Sequence, residues 1–398
     1  MSNHRRRSTG SKYLDRYLGL VALFLIVVAW FVGGLNTQAD HLPYFRQLLP
    51  TAHHFQHLKG GTYAAWSDQN GTSLLAYLCI IRAKGYGGPV TMAVAVDSKG
   101  TVIGLGVVDH KDTPSYFNQI VESGLLDQLM GKSYRDSFLL NQDVDGVSGA
   151  TLSGLAVVTS VRQAVKEIAR QQLDLDLPDT TSRKVRFGPA EIILILLFAL
   201  GILARRKFFP HTKTLRWVSL LTGLICFGFV YNNPLTISII NQLLLGFWPD
   251  WHSNLFTYLL VAGILLHFLL EGRSPYCTWI CPFGAAQECL GKLMKAKPRH
   301  PRHLREFLKW LHRGLALTAI LVALLLRDPG LTSYEVFGTF FQMWGSSFQF
   351  LIIALVFLMS TYVLRPWCNY ICPIHPVDAY LRMMKNWIKE LWRQRKTS

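Results

Sequence analysis

Long apolar runs dominate the chain. They lie near residues 18–35, 188–204, 216–231, 254–270, 314–326 and 349–364, each close to the ~20 residues a helix needs to cross hydrocarbon. The pattern predicts a membrane protein of about six transmembrane α-helices. Between the first and second runs the pattern changes. Residues 36–60 are polar, and His53, His54 and His57, lacking nearby cysteine or acidic partners, read as solvated surface. Residues 61–170 form the stretch long enough for a soluble domain. Val90–Val96 is a β-rich run ending in the turn signal Asp97-Ser98-Lys99-Gly100, and Val102–Val108 resumes it as the second arm of a hairpin. Residues 153–172 carry apolar positions at helical spacing. A small α+β domain is therefore expected between the first and second spans.

The second half repeats itself. Pro275-Tyr276-Cys277-Thr278-Trp279-Ile280-Cys281-Pro282 returns as Pro366-Trp367-Cys368-Asn369-Tyr370-Ile371-Cys372-Pro373 at a constant offset of 91 residues. Each copy follows an apolar run, and each pair of runs brackets a polar–aromatic loop, 232–253 and 327–347. The repeat is parallel, so both motifs emerge on one face. The expected layout is a basic N-terminus over 1–17, an anchor over 18–35, the α+β domain over 61–170, a linker over 171–187, a five-span domain over 188–376 and a basic tail over 377–398. A cleaved signal peptide ending near Thr37-Gln38-Ala39 competes with the anchor. The run is longer than usual for a signal peptide and ends in the interface residue Trp30, which favours the anchor.

Composition agrees with membrane residence: half the residues are hydrophobic and 16% are charged. The net charge of +17 would suit nucleic acid, but its distribution does not. Arg5, Arg6, Arg7, Lys12 and Arg16 precede the first run, Arg205, Arg206 and Lys207 follow the second, and residues 292–309 and 382–396 are basic. Placing all four groups inside satisfies the positive-inside rule, with both termini cytoplasmic and the α+β domain outside a bacterial inner membrane. Arg183, Lys184 and Arg186 dissent, in a long segment where that rule is weak. The partner is the lipid bilayer, not nucleic acid.

The most informative stretch is Asp145-Gly146-Val147-Ser148-Gly149-Ala150-Thr151-Leu152-Ser153. Small residues let a backbone approach a phosphate, successive N–H groups form an anion nest, and the following helix presents its positive end. A hydroxyl at Thr151 is well placed for a phosphate linkage. The same pattern also describes an ordinary capped helix after a glycine turn.

Of seven cysteines, Cys79 and Cys226 stand alone in apolar runs and read as buried small hydrophobes. In Cys277-x3-Cys281 and Cys368-x3-Cys372 the spacing puts both thiols on one helical face, and Pro282 and Pro373 turn the chain away. Together the pairs supply four thiolates, suited to a [4Fe–4S] cluster or, alternatively, to copper or another single tetrahedral ion. Reducing cytoplasm disfavours disulfides. Cys289 and His375 are possible extra ligands, His267 and His312 possible haem ligands, and Glu191 a proton path or an interfacial residue.

The Asp-x-x-Ser-Gly-Ala-Thr pattern resembles the FMN-binding domains of the RnfG and NqrC electron-transport subunits. Gly85-Tyr86-Gly87-Gly88-Pro89, the Asp97/Gly100 turn, His110 and Thr113-Pro114 match the same family in order. The resemblance implies FMN joined by a flavin transferase through a phosphoester to Thr151, with Ser148, Gly149 and Ala150 around the phosphate and Asp145 in the transferase recognition motif. Gly87, His110 and Thr113 are implied as further flavin-binding positions. With the cysteine motifs, which NapH-type quinol dehydrogenases share, nearly the whole chain resembles the NosR/NirI family. It is closest to the short form encoded with reductive dehalogenases, without the C-terminal ferredoxin domain of full-length NosR. The family implies electron transfer from quinol or a ferredoxin-like cytoplasmic donor, through the metal and FMN, to an extracytoplasmic reductase. A membrane redox sensor and a metalloenzyme maturation factor remain as alternatives. One gap stands in the relay: about 30 Å of hydrocarbon separates a flavin on one face from a metal on the other.

Overall fold

The computed structural model describes residues 9–35, 42–68, 72–85, 88–111, 114–147, 151–175, 185, 187–205, 211–249, 251–252, 254–272, 275–297, 305–343 and 345–397. The chain opens with α1 (Thr9–Leu35) and the short α2 (Leu42–Leu48), and then forms a sheet of β1 (His54–His57), β2 (Thr62–Trp66), β3 (Leu74–Lys84), β4 (Pro89–Val96) and β5 (Val102–His110). The five strands pair antiparallel in sequence order. The β4–β5 turn closes as its residues dictate: Asp97 Oδ1 accepts from the Lys99 and Thr101 amides at 2.9 and 2.8 Å. Gly100 takes a φ of 82°, which favours glycine.

Every residue of β4 is buried because the sheet is covered on both faces. Val90, Met92, Val94 and Val96 pack in the core with Val157, Val161 and Val165 of the long helix that follows. The alternate residues Ala93 and Ala95 pack with Phe45 of α2. Small residues on that side leave room for the Phe45 ring, whose full burial contributes about 2 kcal/mol. The sequence reading began this unit at residue 61; the sheet takes in β1, and α2 covers its second face. His54 and His57 are exposed there.

α3 (Pro114–Glu122) and α4 (Thr151–Gln171) complete the sheet domain. The helical domain follows with α5 (Pro189–Arg205) and α6 (Thr212–Thr222), which runs on as a π-helix over Gly223–Val230. Next come α7 (Ile237–Leu244), α8 (Leu255–Glu271), a π-helical turn at Tyr276–Ile280, α9 (Pro282–Leu293) and α10 (Arg305–Leu326). α11 (Phe337–Gln342), α12 (Ser347–Ser360), α13 (Pro366–Tyr370) and α14 (Ile374–Thr397) close the chain. The repeat is visible as architecture: span, short helix, span, cysteine turn, helix, twice.

Among the described residues three helices are long and apolar enough to cross a membrane: Tyr13–Leu35, Thr212–Val230 and Glu306–Leu326. Pro189–Ala204, Leu255–Leu270 and Ser347–Ser360 are apolar but shorter. Each of the six apolar runs is thus a helix, and α7 and α11, between them, pack inward. Five of the eight residues of α7 are buried; Ile237 N donates to the Glu335 carboxylate at 2.6 Å, and Leu235 N donates to the Tyr276 hydroxyl at 2.7 Å. Phe337 of α11 packs on Phe283 at 4.8 Å between ring centroids. Parts of both polar–aromatic loops thus fold inward as short helices.

Candidate cofactor sites

The cysteine turns are set by their prolines. A residue before proline is driven out of the helical region, and Cys281, before Pro282, has φ −54° and ψ 117°. Cys277 therefore lies on the π-helical turn while Cys281 lies just past it; Cys368 lies on α13 and Cys372 beyond its end. The pairs do not share a helical face as the spacing suggested. Each first cysteine rides a short turn, and each second one joins that turn to the next helix.

The four thiols come together nonetheless. Charge on Cys281 and Cys368 acts on Cys277, and charge on Cys368, Cys277 and Cys281 acts on Cys372. Gln287, on α9, ties the two turns: its Oε1 accepts from Trp367 N at 3.0 Å and its Nε2 donates to Cys368 Sγ at 3.5 Å. Tyr334 Oη donates to the Ile371 carbonyl at 3.0 Å. Among the described residues, no three His, Cys, Asp or Glu side chains close around a single metal ion. Four thiols within electrostatic reach of one another are the donor type that a [4Fe–4S] cluster or a tetrahedral ion takes.

The first turn packs against the middle of a long apolar helix. Gly223, midway along the Thr212–Val230 span, packs so closely on the first turn that a Cβ would lie 2.2 Å from the Ile280 carbonyl oxygen. Ser219 Oγ donates to the Trp279 carbonyl at 2.8 Å. The turn thus reaches the level of mid-helix, where the span itself goes over to π-helical bonding, a form that recurs at functional sites.

The other candidates fall elsewhere. Cys289 borders an open apolar groove of about 490 Å³ with Leu224, Phe229 and Phe340. His312 Nε2 lies 2.5 Å from the Cys372 carbonyl, with the His375 ring parallel to it at 5.7 Å. His267 contacts the Gly263 carbonyl through Nδ1 at 3.0 Å. Glu191 accepts from Gly188 N at 2.8 Å at the start of α5, an interfacial cap.

In the sheet domain, α4 begins at Thr151, so the positive end of a 21-residue helix faces the motif. Ser148, Gly149, Ala150, Gly87 and Thr113 lie outside the described residues, as does the Thr151 side chain. Asp145 is exposed, and its amide donates to Gln128 Oε1 at 2.8 Å. Asp143, which sequence reasoning missed, shapes the loop leading in. Its carboxylate accepts from the Leu139 and Phe138 amides at 2.6 and 2.9 Å and from Lys132 Nζ at 3.2 Å. Partial burial alone would raise this carboxyl, but those partners outweigh it and hold it below its ordinary range. Among the described residues, Ser153 Oγ and His110 Nδ1 are buried and find no hydrogen-bond partner, and the His110 ring stacks on Phe117 at 3.9 Å. Buried polar atoms and a flat aromatic pair suit a planar group, and a helix N-terminus suits a phosphate.

His110 pairs with Val90, so it shares one end of the sheet with the Gly85–Gly88 turn. That end abuts the helical domain. Gly85 O accepts from Gln242 Nε2 of α7 at 3.3 Å, Lys111 Nζ lies 3.5 Å from Asp328, and a Cβ on Gly88 would lie 2.8 Å from Pro329.

Comparison with known proteins assigns chemistry to both places. Residues 85–166 match the family described as FMN-binding domain. Residues 253–301 and 347–396, one block per cysteine turn, match that described as 4Fe-4S binding domain. Protein NirI of Paracoccus denitrificans is 27% identical over 196 residues, 46% of this chain and 28% of NirI. The regulatory protein NosR of Pseudomonas aeruginosa is 27% identical over 222 residues, 50% of this chain and 30% of NosR. The chain matches the NosR/NirI-like membrane flavoproteins. Its match spans under a third of NirI and of NosR. A component of the ion-translocating oxidoreductase complex of Stutzerimonas stutzeri is 29% identical over 181 residues, 39% of this chain and 79% of that component. Like these NosR/NirI-like proteins, the chain combines an FMN-binding and a 4Fe-4S binding domain with membrane helices, the equipment of membrane electron transfer.

Proposed function

We propose that the protein relays electrons from quinol or a cytoplasmic donor, through a [4Fe–4S] centre held by Cys277, Cys281, Cys368 and Cys372, to FMN, and on to an extracytoplasmic respiratory reductase. The protein crosses the inner membrane about six times, with both termini cytoplasmic and the sheet domain outside. FMN is held through a phosphoester to Thr151, made by a flavin transferase that reads Asp145 and the Ser148–Thr151 segment. A bound flavin exchanges single electrons on one side and one or two on the other, which is the use of placing it between a one-electron cluster and a reductase.

One observation carries this reading: the inward-folded α7 and α11 join the two candidate sites in one packed body. The Leu235–Tyr276 and Tyr334–Ile371 contacts bind this layer to the cysteine turns, and Gln242–Gly85 and Lys111–Asp328 bind it to the sheet domain. α7 has eight residues, about 12 Å of helix at 1.5 Å per residue. A layer of that thickness, meeting turns that reach mid-span, supports passage without 30 Å of intervening hydrocarbon. The test of the flavin link is in-gel fluorescence under denaturing conditions. Wild type fluoresces and Thr151→Ala does not; a fluorescent Thr151→Ala protein places the attachment elsewhere.

A further inference from the structure

A second charged assembly surrounds the first cysteine turn. Glu288 on α9 is buried and accepts both Arg216 Nη1 at 2.7 Å and Arg216 Nη2 at 2.6 Å. It also pairs with Arg365. Both arginines then reach the turn: Arg365 Nη1 donates to the Cys277 carbonyl at 2.7 Å and Arg216 Nε to the Thr278 carbonyl at 3.1 Å. Arg365 Nη1 and Cys281 Sγ flank the place a Cβ on Gly284 would take, at 3.4 and 3.6 Å. Its charge bears on Cys277, Cys281 and Cys368. Arg365 is also held at φ 54°, ψ 58°, a region a bulky side chain rarely adopts. The repeat does not duplicate these residues: the residue 91 positions before Arg365 is Ser274, and the residue 91 positions after Glu288 is Ala379.

A buried Arg–Glu–Arg triad is poor at adding stability, because desolvation offsets its attraction. Placed beside four thiolates it has another use. Each electron taken up by a tetrathiolate iron–sulfur centre makes it one charge more negative, and the potential of such centres follows local charge. We infer that Arg365, restrained by Glu288 and Arg216, is a positioning residue that sets the midpoint potential of the cysteine centre, raising it by stabilising the reduced form, while Glu288 holds the rise in check. The inference rests on the four-cysteine reading above.

The test is an anaerobic redox titration of the full-length protein in detergent, read by EPR, with iron measured on the same samples. Arg365→Gln keeps the iron and favours the oxidised form about tenfold at a fixed potential, a fall of about 59 mV for a one-electron couple. Glu288→Gln, which leaves both guanidinium charges in place, moves the midpoint the opposite way. Arg365→Lys, keeping the charge and losing the fork, stays nearer wild type than Arg365→Gln. If Arg365→Gln loses its iron, the Glu288→Gln sample decides, and an upward shift is required. Wild-type midpoints in iron-loaded Arg365→Gln or Glu288→Gln overturn the inference and leave the four-cysteine reading intact. Wild-type protein with neither iron nor signal overturns both.

Discussion

The two cofactor regions are built in opposite ways. The flavin motif leads into α4, and its first residues, Asp145 and Gly146, are exposed. The cysteine turns sit at the centre of the helical domain. Their backbone is held by Ser219, Arg216, Gln287, Tyr334 and Arg365 from four segments. A cofactor attached at an exposed segment is separable from the fold, whereas one placed at the crossing of two repeats is part of it. The difference ranks the expected effects of substitution.

The largest effect belongs to the centre. Cys277→Ser and Cys372→Ser each remove the iron, by metal analysis of anaerobically purified protein, and loosen the helical domain in thermal unfolding, while in-gel flavin fluorescence stays at the wild-type level. The reciprocal change at the flavin motif, Thr151→Ala, leaves both iron and unfolding midpoint as in wild type. A Thr151→Ala protein depleted of iron would break the comparison. Next in size is Gly223→Val, whose added carbon meets the Ile280 carbonyl at 2.2 Å and displaces the first turn. Overpacking of this kind costs about 1–3 kcal/mol, and partial iron loss reports it. Gln287→Leu strips Trp367 N and Cys368 Sγ of their partner at a buried position and costs about 1–3 kcal/mol, with partial loss of iron.

How far the sequence reveals this arrangement differs between the regions for the same reason. Periodicity and turn chemistry are local, so the β4–β5 hairpin, the helix after Thr151 and all six apolar helices are readable from it. Inward folding is not local. Nothing in residues 232–253 or 327–347 taken alone announces that α7 and α11 are buried, because the contacts that bury them come from the other repeat, as Glu335 does for Ile237. α2 escaped notice because a seven-residue helix is too short for a period to emerge. Arg216, Glu288 and Arg365 are scattered over the sequence, and only the repeat offset, which finds Ser274 opposite Arg365, offered a hint of asymmetry. Pro282, by contrast, was legible as the residue that turns the chain, but not as the one that takes Cys281 off the helical face its spacing implied.

The smallest effect lies just ahead of the flavin motif. Asp143→Asn weakens the loop into the flavin motif by about 1–2 kcal/mol, since bonds to a charged acceptor are lost, and limited proteolysis near residues 133–147 becomes faster. The sign of its pH dependence follows from a carboxyl held below its ordinary range in the folded chain. Its contribution is fully present above the unfolded value of about 3.9, and is lost as pH falls through the lower folded value. Wild type therefore gains protease sensitivity in that loop only in acid, while Asp143→Asn shows it already at neutral pH.

The central claim is that electrons pass between the cysteine centre and the flavin through the α7–α11 layer. Rapid mixing of anaerobic protein with a reduced quinol, following flavin absorbance in wild type and in iron-free Cys372→Ser, tests it directly. The account predicts flavin reduction in wild type and at least a hundredfold slower reduction without the centre, an effect on the order of 2.7 kcal/mol in the barrier. Flavin reduced at the same rate in both proteins would contradict it.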